Sequence, residues 1–256
     1  MQILEQSETQ LRAAIEKRHR LANGYEVKEY QIHTFLPDGI WELAYVVEPD
    51  DRIENLPRIG YSLGLQENFV QETWYGRGPV ENYPDRKAAA DFGIWSRKKQ
   101  DGATCYEKPQ AYGNREETRW LCLSDDAGEQ KFWICGNTPF SHTFLPFSEE
   151  QLAQTAHCGE LKQEKAAILS LDGIHGGLGN ASCGQDCMPK YTAAMKCQTG
   201  TFRFSAKETK QMIPMAVNLE FEKLWNLTPM NVYRNNDLSE ETFDPSDEQI
   251  RKKAGF

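Results

Sequence analysis

The 256 residues contain no apolar run near the ~20 needed to cross a bilayer as a helix. They also contain no basic cluster: Lys and Arg number 29 against 38 Asp and Glu, a formal charge of -9. An acidic chain of this kind argues against nucleic acid and against an anionic membrane surface as partners. The opening Met1-Gln2-Ile3-Leu4-Glu5-Gln6 lacks the basic-then-apolar pattern of a signal peptide, so the location stays open between cytoplasm and periplasm. No internal repeat is evident. Metal and cofactor signals are missing too. Cys183 and Cys187 have C-x3-C spacing, with His157, Cys158 and His175 upstream, but no second knuckle completes a zinc set. Leu171 to Gly179 is glycine-rich without the G-x-x-x-x-G-K-[ST] pattern of a phosphate cradle. We therefore expect no metal and no cofactor. The seven cysteines are an odd number and cannot form a closed disulfide set. Cys122 and Cys135 lie in apolar runs and read as small buried hydrophobes, and free thiols lean towards a reducing compartment.

What is present is a succession of short period-two segments. Tyr25 to Ile32 alternates apolar and polar residues, Leu36-Pro37-Asp38-Gly39 reads as a turn, and Trp41 to Val47 follows, which predicts a hairpin. Further strands are expected at 58–65, 68–75, 117–123, 130–136, 166–172, 191–197, 201–206 and 215–222, with Asp125-Asp126-Ala127-Gly128 as one of the turns. This spacing points to an all-β sandwich or barrel. Two helices interrupt it. Residues 3–21 read as a leading helix, with Ser7 and Gln10 resembling a capping box and Leu4, Leu11, Ala14 and Ile15 on one face. Residues 148–155 read as a short helix capped by Ser148. The expected organisation is a leading helix at 1–22, a β-sandwich at 23–206, and a final strand with a polar tail at 207–256, including a short helix at 244–253.

The run Trp74-Tyr75-Gly76-Arg77-Gly78-Pro79-Val80-Glu81-Asn82-Tyr83-Pro84-Asp85-Arg86 carries the most chemistry. Its glycines and prolines turn a strand end into a loop, where sites are commonly built. Aromatic faces stack on sugars, and carboxylate, amide and guanidinium groups bind hydroxyls; Trp74, Glu81, Asn82, Asp85 and Arg86 supply those types. The competing reading is a structural loop with Trp74 in the core and Asp85 and Arg86 paired to neighbours. Glu81 and Asp85 also raise a glycosidase acid/nucleophile pair, which needs the two carboxyls roughly 5 Å apart or farther. His175 is a candidate lining residue of the glycine-rich stretch.

Two more peptides, Pro109-Gln110-Ala111-Tyr112-Gly113-Asn114-Arg115 and Gly179-Asn180-Ala181-Ser182-Cys183-Gly184, join this run in one order. Together they resemble the C-terminal β-sandwich module (domain 5, or small chain) of family 2 β-galactosidases. The resemblance runs from about Tyr25 to Ala206, through Leu56-Pro57-Arg58-Ile59-Gly60, Phe140-Ser141-His142-Thr143 and Leu171-Asp172. It implies an all-β, galactose-mutarotase-like antiparallel supersandwich, incomplete at its N-terminal side. It implies a non-catalytic module that packs on a catalytic barrel, outside this chain, and shapes the rim of a galactoside site. Gln110, Asn114 and Arg115 then join Trp74, Glu81, Asn82, Asp85, Arg86 and His175 as rim candidates, and no catalytic residue falls in this chain. Ala111 and Tyr112 replace a Glu-Asn pair common in the family, and Gln185 to Pro189 holds no tryptophan where some members have one. The alternatives are a stand-alone galactose-binding module and a mutarotase-like enzyme. Missing opening strands leave a sheet edge open, so a homo-oligomer is expected.

Overall fold

A computed structural model describes residues 1–102, 106–180, 184–193 and 197–207. The strand expected at 215–222, the helix at 244–253 and almost all of the 207–256 tail lie outside the described residues. Eleven strands are found among them: β1 Gln2–Gln6, β2 Leu11–Arg20, β3 Glu26–Phe35, β4 Ile40–Pro49, β5 Arg58–Leu65, β6 Gln71–Gly78, β7 Asp91–Lys98, β8 Arg115–Ser124, β9 Lys131–Leu145, β10 Ala167–His175 and β11 Gln198–Ser205. One short helix, α1 Glu149–Gln154, and three 3-10 turns are the helical content among the described residues. The all-β expectation holds. The chain divides into two compact units. The first comprises Met1–Leu56, Trp133–Thr138 and the segment from Ala193; the second comprises Pro57–Phe132 and Pro139–Thr192.

In the first unit β1, β2, β3, β4 and β11 follow one another across an antiparallel sheet, and the Trp133–Gly136 stretch of β9 pairs β11. The expected hairpin is there: the Gly39 N–H donates to Leu36 O at 3.1 Å, and Gly39 has φ +83°, which costs glycine nothing. Tyr30, Ile32 and Val46 form a core on one face, with Leu4, Ala44 and Cys197 packed against it. Leu43, Tyr45, Phe202 and Phe204 are buried on the other.

The leading helix is not found. Residues 2–6 and 11–20 are strands, and β2 pairs β3 over its whole length, from Leu11↔Phe35 to Arg20↔Glu26. Pairing on this scale outweighs a weak helical propensity. The Ser7–Gln10 pair is nonetheless real: Gln10 N–H donates to Ser7 Oγ at 3.2 Å and Ser7 N–H to Gln10 O at 2.9 Å, which closes a hairpin turn rather than capping a helix.

The second unit contains two three-stranded antiparallel sets, β7-β6-β8 and β5-β10-β9. Trp74, Leu121, Leu123, Phe144, Leu169 and Leu171 are fully buried there. Ser148 caps α1, accepting the Gln151 N–H at 3.3 Å, as the sequence implies, and Leu152 of that helix joins Tyr112, Leu145 and Phe147 in a smaller cluster. Strand β7 was not anticipated because no residue in it is buried and charges interrupt its alternation. The strand expected at 191–197 is replaced, in its described part, by a 3-10 turn at Pro189–Tyr191 and irregular backbone after it. Cys122 and Cys135 are buried, as expected; neither is disulfide-bonded, nor are Cys187 and Cys197, whereas Cys158 is.

Candidate functional site

The Trp74–Arg86 run, the 109–115 peptide and Gly179, the first residue of the third peptide, meet in the second unit. Strand β6 ends at Gly78, and the loop that follows presents Glu81, Asn82, Asp85 and Arg86 in succession. Each of these four side chains holds backbone elsewhere in the chain, Asp85 and Arg86 the same loop. Glu81 accepts hydrogen bonds from the Tyr106 hydroxyl, from the Gly113 N–H at 2.7 Å and from the Tyr83 hydroxyl at 3.3 Å. The bond to Glu81, followed by burial, pushes the Tyr106 phenol up to about 12. Asn82 is fully buried; its Oδ1 accepts the Glu116 N–H at 2.9 Å and its Nδ2 donates to Val80 O at 2.9 Å. Asn82 also exchanges hydrogen bonds with Asn114, through Asn82 N–H to Asn114 O and Asn114 Nδ2 to Asn82 O, each 2.9 Å.

Asp85 and Arg86 reach the glycine-rich loop. The Asp85 carboxylate accepts the N–H groups of Leu178 and Gly179 at 3.0 and 2.8 Å, and the Arg86 guanidinium donates to Gly179 O at 2.7 Å. Any Cβ at position 177 would lie 2.7 Å from both Asp85 Cγ and Cys187 Sγ, so only glycine lets the carboxylate approach.

Trp74 has no exposed ring face to offer a sugar. It is 0% exposed, donates from Nε1 to Arg77 O at 3.0 Å, and lies under the Arg115 guanidinium at 5.4 Å from the ring centre. Arg115 is itself buried, donating to Gly113 O and Asn114 O at 3.1 and 3.0 Å. Burial, reinforced by Arg97, lowers its pKa to about 10. Gln110 and Arg86 are exposed. His175 is half-buried beside Tyr83, with ring centroids 5.6 Å apart, and its Nδ1 donates to Gly176 O at 2.7 Å. Burial depresses its pKa, so the neutral ring presents Nε2 as an acceptor.

Tyr83, Asn114 and His175, together with Arg58, Glu149 and Ser170, line a cleft of about 40 Å³. A water needs roughly 10–15 Å³ of such space, so the cleft takes about three or four waters and not a pyranose ring. At its edge Arg58 pairs with Glu149 and lies 3.6 Å from Asp172. Asp172 is 3% exposed, and burial pushes its carboxyl up to about 7, with Arg58 opposing and Glu116 adding to the rise. The sequence offered Arg58 and Asp172 only as part of the family resemblance, and none of Arg58, Glu149 and Asp172 as a site residue. The signal available was an acidic residue inside the mostly apolar strand β10.

One further array resembles catalytic machinery. Thr118 Oγ1 lies 2.8 Å from His142 Nδ1, His142 Nε2 lies 3.2 Å from Glu72, and Glu72 pairs with Arg97. Thr118, His142 and Glu72 are all 0% exposed, so no substrate reaches the hydroxyl. The array is a buried polar core. Among the described residues no cluster of His, Cys, Asp and Glu could hold a metal ion.

Residues 2–206 match the β-galactosidase small chain family. The chain is similar to a β-galactosidase of Aeromonas hydrophila, 37% identical over 164 residues, which are 62% of this chain and 15% of that protein. It is similar to a β-galactosidase of Priestia megaterium, 30% identical over 175 residues, 68% of this chain and 17% of that protein. The chain thus spans about a sixth of the length of these relatives. Among solved structures, a galactose mutarotase-like protein from Lactobacillus casei aligns with 79% of this chain and 71% of its own at TM-score 0.40 and 11% identity. A GalM/aldose epimerase homologue from C. elegans covers 80% of this chain and 67% of its own, also at TM-score 0.40, with 8% identity.

Proposed function

The chain belongs to the β-galactosidase small chain family, and on that premise we propose that it is a non-catalytic module of a larger enzyme that hydrolyses terminal β-D-galactosides. In this reading the acid/base and nucleophile glutamates belong to a barrel outside this chain, and the module packs on that barrel and shapes the rim of its sugar site. The observation that carries the proposal is the use of the two conspicuous carboxylates. Glu81 and Asp85 are both engaged in holding backbone of neighbouring loops, Gly113 in one case and Leu178 and Gly179 in the other. A hydrolytic pair needs carboxyls free to exchange protons with a substrate and to attack it.

The rim candidates divide into two roles. Glu81, Asn82, Asp85, Asn114 and Arg115 form the frame, with Trp74 as its buried floor. Arg86, Gln110 and His175 have surface to offer and are the residues proposed to face the sugar. A stand-alone galactose-binding module is less well supported, because the cleft bounded by Asn114 and His175 encloses only about 40 Å³.

The test is association and activity together. The purified chain is mixed with the remaining polypeptide of its β-galactosidase, and the mixture is followed by light scattering and by turnover of a chromogenic galactoside. The proposal expects a complex and turnover that depends on it. A remainder that is fully active alone and ignores this chain would refute it.

A further inference from the structure

One face of the first unit carries two adjacent rows of side chains across the strands. Directly paired residues of antiparallel strands share a face, so each row can be read from the register. The first row is Leu11↔Phe35, Phe35↔Trp41 and Trp41↔Phe204; the second is Ile3↔Ala13, Ala13↔His33, His33↔Leu43 and Leu43↔Phe202. The rings in these rows are ordered. Trp41 lies 4.4 Å from Phe204 and 6.1 Å from Phe35, with interplanar angles of 23° and 10°, and its Nε1 donates to His33 Nδ1 at 3.1 Å.

The two rows share an exposure gradient. At their β4–β11 end Leu43, Phe202 and Phe204 are 2–3% exposed. At their β1–β3 end Leu11 is 38%, Phe35 43% and Ile3 56% exposed. A continuous apolar face is therefore covered over its inner strands and open over its outer ones. Four of the seven exposed large hydrophobics among the described residues, counting Met1, lie at this one end. Isolated exposed apolar residues need no explanation, but a contiguous group that prolongs a buried face marks an interaction surface.

We propose that the open end, centred on Phe35 with Leu11 and Ile3, is where the rest of the β-galactosidase polypeptide seats on this chain. The inference rests on the module reading above. It commits to that occupant because the aligned segment is only 15–17% of the relatives' length, which leaves most of the polypeptide outside this chain to supply the cover. The patch also continues a face that is already buried, so a partner there extends a core. The contact is apolar and aromatic, as the centres of stable interfaces are. The rival occupant is a second copy of this chain, through the open β1 edge.

Hydroxyl-radical footprinting read by mass spectrometry separates these cases, with light scattering on the same samples. The expected result is labelling of Ile3, Leu11 and Phe35 in the isolated chain and protection of all three in the assembled enzyme. Leu11→Lys combined with Phe35→Lys should weaken assembly at least tenfold while leaving the circular dichroism spectrum unchanged, and Phe35→Leu should retain assembly. Equal labelling in both states, with the complex intact, overturns the surface assignment and leaves the module reading standing. Protection already present in the isolated chain overturns it as well: a dimer would name the second copy as occupant, and a monomer would name the chain's own residues 208–256. Failure to form any complex removes both the assignment and the module reading.

Discussion

The Asp85 carboxylate accepts the Gly179 N–H at 2.8 Å across 94 residues of sequence, and this contact fixes the glycine-rich loop to the loop that follows strand β6. Its neighbour Arg86 grips the carbonyl of the same glycine, so both polar groups of residue 179 are held by one dipeptide. The loops therefore move together or not at all.

Asp85→Ala removes the acceptor for two amides. Hydrogen bonds to a charged group contribute about 1.5–3 kcal/mol when removed, and partial exposure brings the expected loss of unfolding free energy to about 1–3 kcal/mol. Amide exchange at Leu178 and Gly179 should quicken while exchange in β3 and β4 stays unchanged. Unaltered exchange at both amides would show that the clasp does not hold the loop.

Asp172 predicts a particular pH dependence. Its folded-state pKa is raised by burial from 3.8 to about 7, so between those values the folded state keeps a proton that the unfolded state has released. The stability contributed by this group is fully present below about pH 4 and is lost as pH rises through about 7. Asp172→Asn should remove that slope, on the order of a few kcal/mol in total. Urea midpoints of both proteins at about pH 5 and pH 8 test this; parallel changes in the two would contradict it.

Glu72 and His142 act with the opposite sign. Burial opposes the charge on Glu72, but Arg97, followed by His142, outweighs it and holds the carboxyl at about 2. His142 is depressed, burial being the main cause, so it stays neutral where an unfolded histidine is charged. Both contributions are present above the unfolded pKa values and are lost as pH falls. Glu72→Gln breaks a buried charge cluster and should cost about 3–5 kcal/mol, measured by denaturant unfolding. A loss below about 1 kcal/mol would mean that Arg97 finds another partner.

Trp74 and Gln110 should separate fold from function. Trp74→Ala empties a fully buried site and should destabilise the module by about 3–5 kcal/mol. Gln110 is exposed, so Gln110→Ala should leave unfolding within about 0.5 kcal/mol of the parent while raising KM in the assembled enzyme. Equal destabilisation by both would place Gln110 in the scaffold.

Much of this architecture was legible in the residues. The hairpin about Gly39, the capped helix at Ser148, the Asp125–Gly128 turn and most strands follow from local rules that tertiary packing leaves in place. The N-terminal segment was not legible. Its charges fit a helix surface as well as a strand edge, and the decision comes from pairing with β3, a non-local term. The family resemblance named Trp74–Arg86, Gln110–Arg115 and the glycine loop as motifs in one order, and the structure joins them through Glu81, Asn82, Asp85 and Arg86. The division of those residues into frame and surface was invisible, because composition gives Trp74 and Gln110 equal standing as sugar ligands. Only burial distinguishes them. Asp172 was hidden for a similar reason: its raised pKa arises from burial, with Glu116, on a strand distant in sequence, adding to the rise and Arg58 opposing it.

The most direct test of the central claim is hydrolysis of a chromogenic β-galactoside by this chain alone, purified free of host galactosidase. A non-catalytic module predicts no turnover above buffer at any pH from about 5 to 8, the range over which glycosidase carboxyl pairs ordinarily work. Turnover by the isolated chain that disappears in Glu81→Gln or Asp85→Asn would contradict the account and place a complete active site within these residues.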